Sequence, residues 1–420
     1  MSKGFIARLP EKSAKKDFVF NILGSTANAA VSVVLLMVVS HVLGGVSAGI
    51  FSLGYSTAQM MYTISVFEMR NIQVTDARKE HSFASIFMFR IITTVIMWLF
   101  FAFFAILKSY SGEKLAVMLL LNVYMTALSF SDLFQGNLHL NGYLHIAGKS
   151  LGAQVMLASV VFTASIVITK NLLFSLALMA GVVALWVFFY DIPFSRNFSA
   201  VKPEFVFSKQ ISVLLCALPL FLSSFMHQYI FNAPKYAIDK MLSEVDQSHY
   251  GYLVMPAFFI NLLSIFVFRP QLVPLSKNWA DRDYKRFGKT VTVLYMWIAL
   301  VTIAALGCGY LLGIPVLEFL YNADLSNKRG ILLILLLAGA FSAGCSLTTT
   351  LITIMRKQKY SIVAYAATLV MALVLPDILV AKHGMIGAAT AYLVEMALLF
   401  IIMFVIFAVF LLKERKKRYE

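Results

Sequence analysis

The chain has 420 residues, 60% hydrophobic and 13% charged, with a mean hydropathy of +0.83. Soluble domains hold roughly 45–50% apolar residues, so a soluble enzyme or binding module is excluded. The formal net charge of +15 would suit nucleic acid, but the basic residues sit mostly between apolar runs, which argues for a topology signal and against that partner.

Apolar runs of about 20 residues recur along the whole length, each long enough to cross a bilayer. The leading "MSKGFIARLPEKSAKKD" is basic and has no apolar core, so no cleavable signal peptide is expected. Span one covers 18–43. In it Asn21, Ser25, Asn28 and Ser32 recur at intervals of 4, 3 and 4, which lines them along one helical face. Such a stripe is tolerated where it lines a hydrated cleft or hydrogen-bonds a neighbouring helix, and both readings stay open.

Spans two to six follow at 49–69, 83–107, 114–138, 150–169 and 172–192. Span two carries Tyr55, Gln59 and Tyr62 on one face, at spacings of 4 and 3, and ends at Arg70, for which Glu68 could be a local partner. Span three holds Arg90 roughly 10 Å from its start. Span four, running the other way, holds Asp132 at a similar depth, so the two could pair. The basic loop 193–209 then divides the chain into an N-terminal lobe, 1–209, and a C-terminal lobe, 210–420.

Spans seven to twelve are expected at 210–231, 250–273, 290–313, 330–354, 360–381 and 385–412. Lys235 stands at the outer end of span seven, at the start of a loop expected over 232–249. Arg269 closes span eight before Pro270, and Asp377 follows Pro376 in span eleven. Glu395 is the carboxylate nearest the midplane, in span twelve. A further outer loop is expected over 314–329 and a further inner one over 274–289. His227, deep in span seven, reads as a packing residue.

With both termini inside, 25 of the 35 Lys and Arg fall in inner segments, eight in outer segments, and Arg90 and Arg269 within spans. That asymmetry orients the protein with both termini cytoplasmic and leaves attraction to anionic membrane lipids as a secondary role of the basic face. Cys216, Cys308 and Cys345 lie in apolar runs without pairing or metal spacing, so neither a disulfide nor a metal or other cofactor is expected. Weak internal similarity relates the halves. "GIFSLGYSTAQMMYTISVF" aligns with "GYLVMPAFFINLLSIFVFR", each glycine opening a second span, and "NGYLHIAGKS" aligns with "QKYSIVAYAA" at the start of each fifth span. The expected fold is an all-α polytopic membrane protein, with twelve transmembrane helices in two pseudo-symmetric six-helix lobes around a central cavity.

"NAPKYAID" followed by "YGYLVMPAF", and the small-residue stretch "HGMIGAATAYLVE", carry a resemblance over essentially the full length. The chain resembles bacterial polysaccharide transporters, the O-antigen and capsule repeat-unit flippases, of the multidrug/oligosaccharidyl-lipid/polysaccharide exporter superfamily. The resemblance implies movement of an undecaprenyl-pyrophosphate-linked glycan across the bacterial cytoplasmic membrane by alternating access, with no bond made or broken. A pyrophosphate crossing the membrane needs cationic partners, and arginine is the best donor fork for it. The candidates are Arg90, Arg269, Lys235 and Arg70, with Asn21, Asn28, Tyr55, Gln59 and Tyr62 as sugar contacts.

Each has a plainer reading. Arg70 and Arg269 could snorkel to the interface, Arg90 could serve Asp132, and tyrosines commonly pack between helices. Glu395, Asp377 and Asp132 are the candidates for binding a coupling proton or sodium ion, although Glu395 could simply hydrogen-bond a neighbouring helix. Two rivals follow. A cation-coupled multidrug antiporter of the same superfamily fits the architecture, but span one has no acid on its polar face, and the acids in the other spans of that lobe, Glu68, Asp132 and Asp191, lie toward the inner ends. A membrane glycosyltransferase or polymerase would need catalytic loops, and none is long enough here.

Overall fold

The computed structural model describes residues 9–75, 81–268 and 271–416. Among them the chain is helical with no strand. The helices pack as two compact units, Met1–Phe225 and Met226–Glu420. Arg269, expected as an anion contact, lies outside the described residues.

Unit 1 contains α1 (Ala14–Leu43), α2 (Gly45–Val66), α3 (Met69–Thr75), α4 (Phe83–Leu107), α5 (Gly112–Leu140), α6 (Leu144–Thr169), α7 (Leu172–Trp186) and α8 (Ile192–Ser195), with the first half of α9 (Phe207–Met241). The polar stripe of α1 is partly explained by its partner. Gly24 of α1 meets Gly148 and Gly152 of α6, and a Cβ on Gly148 would stand 2.6 Å from the Phe20 carbonyl carbon and 2.7 Å from the Asn21 nitrogen. Small residues let membrane helices approach this closely. At the same end the Asp17 carboxylate accepts the His145 backbone N–H at 2.6 Å and lies 2.7 Å from its ring Nδ1, capping α6. Gly148→Ala is therefore expected to cost about 1–3 kcal/mol by overpacking against backbone. A lowered melting temperature of the detergent-purified protein would register it, and an unchanged one would contradict this packing.

Span two ends earlier than expected. Phe67 and Glu68 both adopt left-handed backbone, φ 48° and 55°, so α2 stops at Val66 and Arg70 belongs to the short α3 instead of closing the span. Two successive non-glycine residues in that region each cost about 1–3 kcal/mol and persist only where surroundings hold them. Phe67 stacks on Phe221 of α9 at 4.0 Å and meets Phe89 of α4 edge-on at 5.4 Å. Glu68 accepts the Ser224 hydroxyl at 2.5 Å and the Asn71 amide at 2.7 Å. Its carboxylate thus serves α9 and α3, and the expected Glu68–Arg70 pair is replaced by these bonds.

Span six is interrupted. Pro193 has no N–H to offer Phe189, and its ring would collide with that carbonyl. The chain opens into a π-type turn over Val187–Asp191, with the Ile192 N–H reaching Val187 five residues back. The widened turn buries Asp191 completely.

Unit 2 holds the rest of α9, then α10 (Glu244–Phe268), α11 (Leu272–Ala280), α12 (Tyr284–Cys308), α13 (Ile314–Tyr321), α14 (Arg329–Ile354), α15 (Ser361–Ala372) and α16 (Leu375–Lys416). Three expected loops are largely helical. The segment 232–249 is filled by α9 and α10, which leave only 242–243 between them; α13 occupies much of 314–329, and α11 much of 274–289. The reason is visible in burial: Asn232, Lys235, Gln247 and Ser248 are buried polar residues on helices, so low hydropathy there marks a protein-facing surface instead of a loop. The two aligned glycines, Gly49 and Gly251, lie inside α2 and α10 and do not open them, whereas Tyr143 and Tyr360 each stand at the N-cap of the aligned helix, α6 and α15.

Within α16 the chain turns sharply at Gly384, φ 57° and ψ −134°, which only glycine adopts readily. This point separates spans eleven and twelve. Among the described residues, nine segments are long and apolar enough to cross a membrane. Together with α2, α10 and the broken path from α15 to Gly384 these make twelve.

Candidate functional site

Unit 1 encloses a cavity of about 210 Å³ lined from five helices of the unit. The face of α2 read from spacing, Tyr55, Gln59 and Tyr62, forms one wall, and Asn28 of α1 stands beside it. Arg70 enters from α3. From α5 come Met125, Leu128, Asp132 and Gln135, and from α6 Leu151 and Gln154. The α2 face keeps a packing role as well: Tyr55 is almost buried, its ring 5.7 Å from that of Phe51.

Charge is concentrated at one corner. Arg70 Nη1 donates to Asp132 Oδ1 at 2.9 Å, and Arg90 Nη2 donates to Asp132 Oδ2 at 3.1 Å. One carboxylate therefore serves two guanidinium groups, leaving one positive charge in excess. The three differ in access: side-chain exposure is 30% for Arg70, 13% for Asp132 and 1% for Arg90. Arg70 faces the cavity, while Arg90 sits behind Asp132 and does not line it. Arg90 is thus a positioning residue for Asp132, and its Nε and Nη1 have no hydrogen-bond partner among the described residues. Asp132, read as a coupling candidate, is the shared counter-ion of the pair. Tyr62 lies within electrostatic range of Asp132, Arg90, Arg70 and Glu68.

Gln135 and Gln154 were not among the candidate residues. Gln135 Oε1 accepts from Arg70 Nη1 at 3.4 Å, and Gln154 Oε1 is buried with no hydrogen-bond partner among the described residues. A signal for the α5 wall existed: 125, 128, 132 and 135 step by 3, 4 and 3 along the helix, the rule that found the α2 face.

The other candidates lie elsewhere. Asn21 is half-buried at the glycine crossing with α6 and is absent from the cavity wall. Lys235 is in unit 2, 3% exposed, on a helix that continues six residues past it, with its ammonium 5.8 Å from the Phe231 ring centroid. It is not the exposed end of a span. Asp377 is half-exposed and pairs with Lys240 at 2.7 Å. Glu395 is fully buried, and neither carboxyl oxygen has a hydrogen-bond partner among the described residues. The interhelical hydrogen bond considered for it is therefore not made there, although Tyr250 and Tyr392 lie within electrostatic range. Among the described residues no cluster of His, Cys, Asp and Glu could hold a metal ion.

No protein-family model and no curated protein matches the chain. Solved structures do. An inward-facing multidrug resistance MATE family transporter of the MOP superfamily is 14% identical over 96% of this chain and 99% of its own, with a TM-score of 0.65. The MATE multidrug transporter DinF-BH, solved as a ligand complex, is 16% identical over 96% and 98%, with a TM-score of 0.63. A MOP superfamily transporter from Pyrococcus furiosus, reported to have a binding pocket of reverse polarity that suggests a different function, is 14% identical over 96% of each chain, with a TM-score of 0.53. The chain has the all-α, two-lobed fold with twelve membrane spans that MATE-type transporters have.

Proposed function

We propose that this protein is a flippase that carries an undecaprenyl-pyrophosphate-linked oligosaccharide repeat unit from the inner to the outer leaflet by alternating access between lobes 1–209 and 210–420. The observation that carries this reading is the Arg70–Asp132–Arg90 cluster at the cavity of unit 1. Its excess positive charge suits a phosphate-bearing headgroup. The amides and hydroxyls of Asn28, Gln59, Gln154, Tyr55 and Tyr62 suit sugar hydroxyls. The lipid tail stays in the bilayer, so the cavity takes only the polar part.

A second reading, a cation-coupled multidrug antiporter, is favoured by the fold relatives, one of them a multidrug transporter solved with a ligand bound. A cationic drug in this cavity would need a free carboxylate there, whereas Asp132, which lines it, is engaged by two arginines. A binding pocket of reverse polarity has been described on this fold, so a change of cargo charge is compatible with the architecture. Glu395, buried with no hydrogen-bond partner among the described residues, is the residue in unit 2 best suited to take a coupling proton or sodium ion. The membrane is the bacterial inner membrane, with both termini cytoplasmic by the distribution of basic residues.

Depletion in the host followed by mass spectrometry of undecaprenyl-linked intermediates tests the reading. Complete repeat units should accumulate. An unchanged lipid pool would favour the antiporter, and truncated glycans a transferase.

A further inference from the structure

Asp191 takes no part in the cavity wall, yet it is joined to it. Its carboxylate accepts the Ser131 hydroxyl at 2.6 Å and the Ser150 hydroxyl at a shorter distance. A carboxylate only accepts, so both serines spend their hydrogens on it and offer lone pairs outward. Those lone pairs receive Gln135 Nε2 at 2.8 Å on Ser131, and Trp186 Nε1 at 3.0 Å on Ser150. Gln135 is thereby held with its nitrogen toward the serines and its oxygen toward Arg70. The direction of donation is continuous, from Arg70 through Gln135 and Ser131 to Asp191.

Few other charges surround Asp191. Arg70 on α3 acts on it electrostatically, and Tyr190 precedes it on the same turn. Asp132 on α5 is turned to the arginines, and Lys149 on α6 lies over the Phe20 ring. No cation touches the carboxylate among the described residues.

We propose that Asp191 is a proton-binding site whose occupancy sets the affinity of the cavity for anions. When a proton from solvent adds to the carboxylate, an O–H bond forms and the group goes from one negative charge to none. Asp191 then donates to the Ser131 hydroxyl oxygen instead of accepting from it. Ser131 is released to donate to Gln135 Oε1, and the amide turns end for end. Its NH₂ now faces the guanidinium of Arg70, which loses an acceptor and becomes available to an incoming anion. Over the four groups joined by this chain, Arg70, Arg90, Asp132 and Asp191, the net charge rises from zero to plus one. Proton and anion therefore bind together, and anion affinity rises as pH falls.

The second half of this proposal rests on the anion reading of the cavity; the first does not, and the experiment separates them. Infrared difference spectra of the reconstituted full chain, between mildly alkaline and mildly acidic buffer, should show a protonated-carboxyl band that Asp191→Asn removes. Ser131→Ala, which keeps the carboxyl and cuts the chain, should retain that band at a shifted frequency. In parallel, inorganic pyrophosphate should bind wild type at least about tenfold more tightly in the acidic buffer, and both variants should lose that dependence. A band unchanged by Asp191→Asn would overturn the proton site. Pyrophosphate affinity that rises on acidification in both variants as in wild type would overturn the coupling. If pyrophosphate binds at no pH, the anion reading fails, and the infrared band alone decides Asp191.

Discussion

Asp132→Leu is expected to be among the most destabilising single substitutions in unit 1, costing about 3–5 kcal/mol. The cost comes from Arg90 more than from the lost carboxylate. Arg90 is 1% exposed, and its one side-chain hydrogen bond among the described residues goes to Asp132. Removing the acceptor leaves a buried cation with no compensation. Removing both charges is a different experiment. A buried ion pair replaced by apolar side chains of similar volume is often neutral or better, so Arg90→Met added to Asp132→Leu should recover most of the loss. Melting temperatures of the detergent-purified single and double variants measure this. A double variant no more stable than Asp132→Leu would mean that Arg90 does not owe its place to Asp132.

Arg70→Gln should behave in the opposite way, folding normally and failing to export. Arg70 is partly exposed on a short helix and faces the cavity, so its ion pair contributes little to stability. A hydrogen bond to a charged ligand is worth about 1.5–3 kcal/mol, which corresponds to roughly 10–100-fold in affinity for a phosphate-bearing headgroup. Arg70→Lys keeps the charge and loses the planar fork, so it should restore only part of the affinity. Export assays in cells expressing equal amounts of each variant check the order wild type, Lys, Gln. Full export by Arg70→Gln would remove this corner from the substrate path.

The legible part of the fold was its continuous apolar runs. Long apolar runs such as 83–107 and 330–354 reappear as α4 and α14 with nearly the same bounds. What hydropathy missed were helices whose polar residues are buried in protein. Around Lys235 the pattern reads as a loop because Asn232 and Lys235 lower the average, yet α9 runs on to Met241 with both residues buried. The end of α2 was also out of reach, since nothing local in "SVFEMRN" demands two left-handed residues. Phe221 and Ser224, more than 150 positions away in sequence, hold them.

The site was legible where a single helix face carried it. Tyr55, Gln59 and Tyr62 share one face of α2, and the structure brings them to one cavity together with Asn28, Arg70 and Asp132. Arg90 illustrates the limit. An intramembrane arginine reads as a ligand contact, but only tertiary packing decides whether it meets the cavity or the carboxylate in front of it. Asp191 shows the same limit from the other side: it reads as an acid near the end of a span, and the turn widened by Pro193 buries it against Ser131 and Ser150.

Direct binding to the purified protein tests the central claim, that the cavity of unit 1 takes an anionic headgroup. A lipid-pyrophosphate-linked glycan should bind and be displaced by inorganic pyrophosphate, with affinity falling roughly 10–100-fold in Arg70→Gln, while a cationic rhodamine dye should not compete. Tight dye binding unaffected by pyrophosphate, with glycan binding equal in wild type and Arg70→Gln, would contradict it.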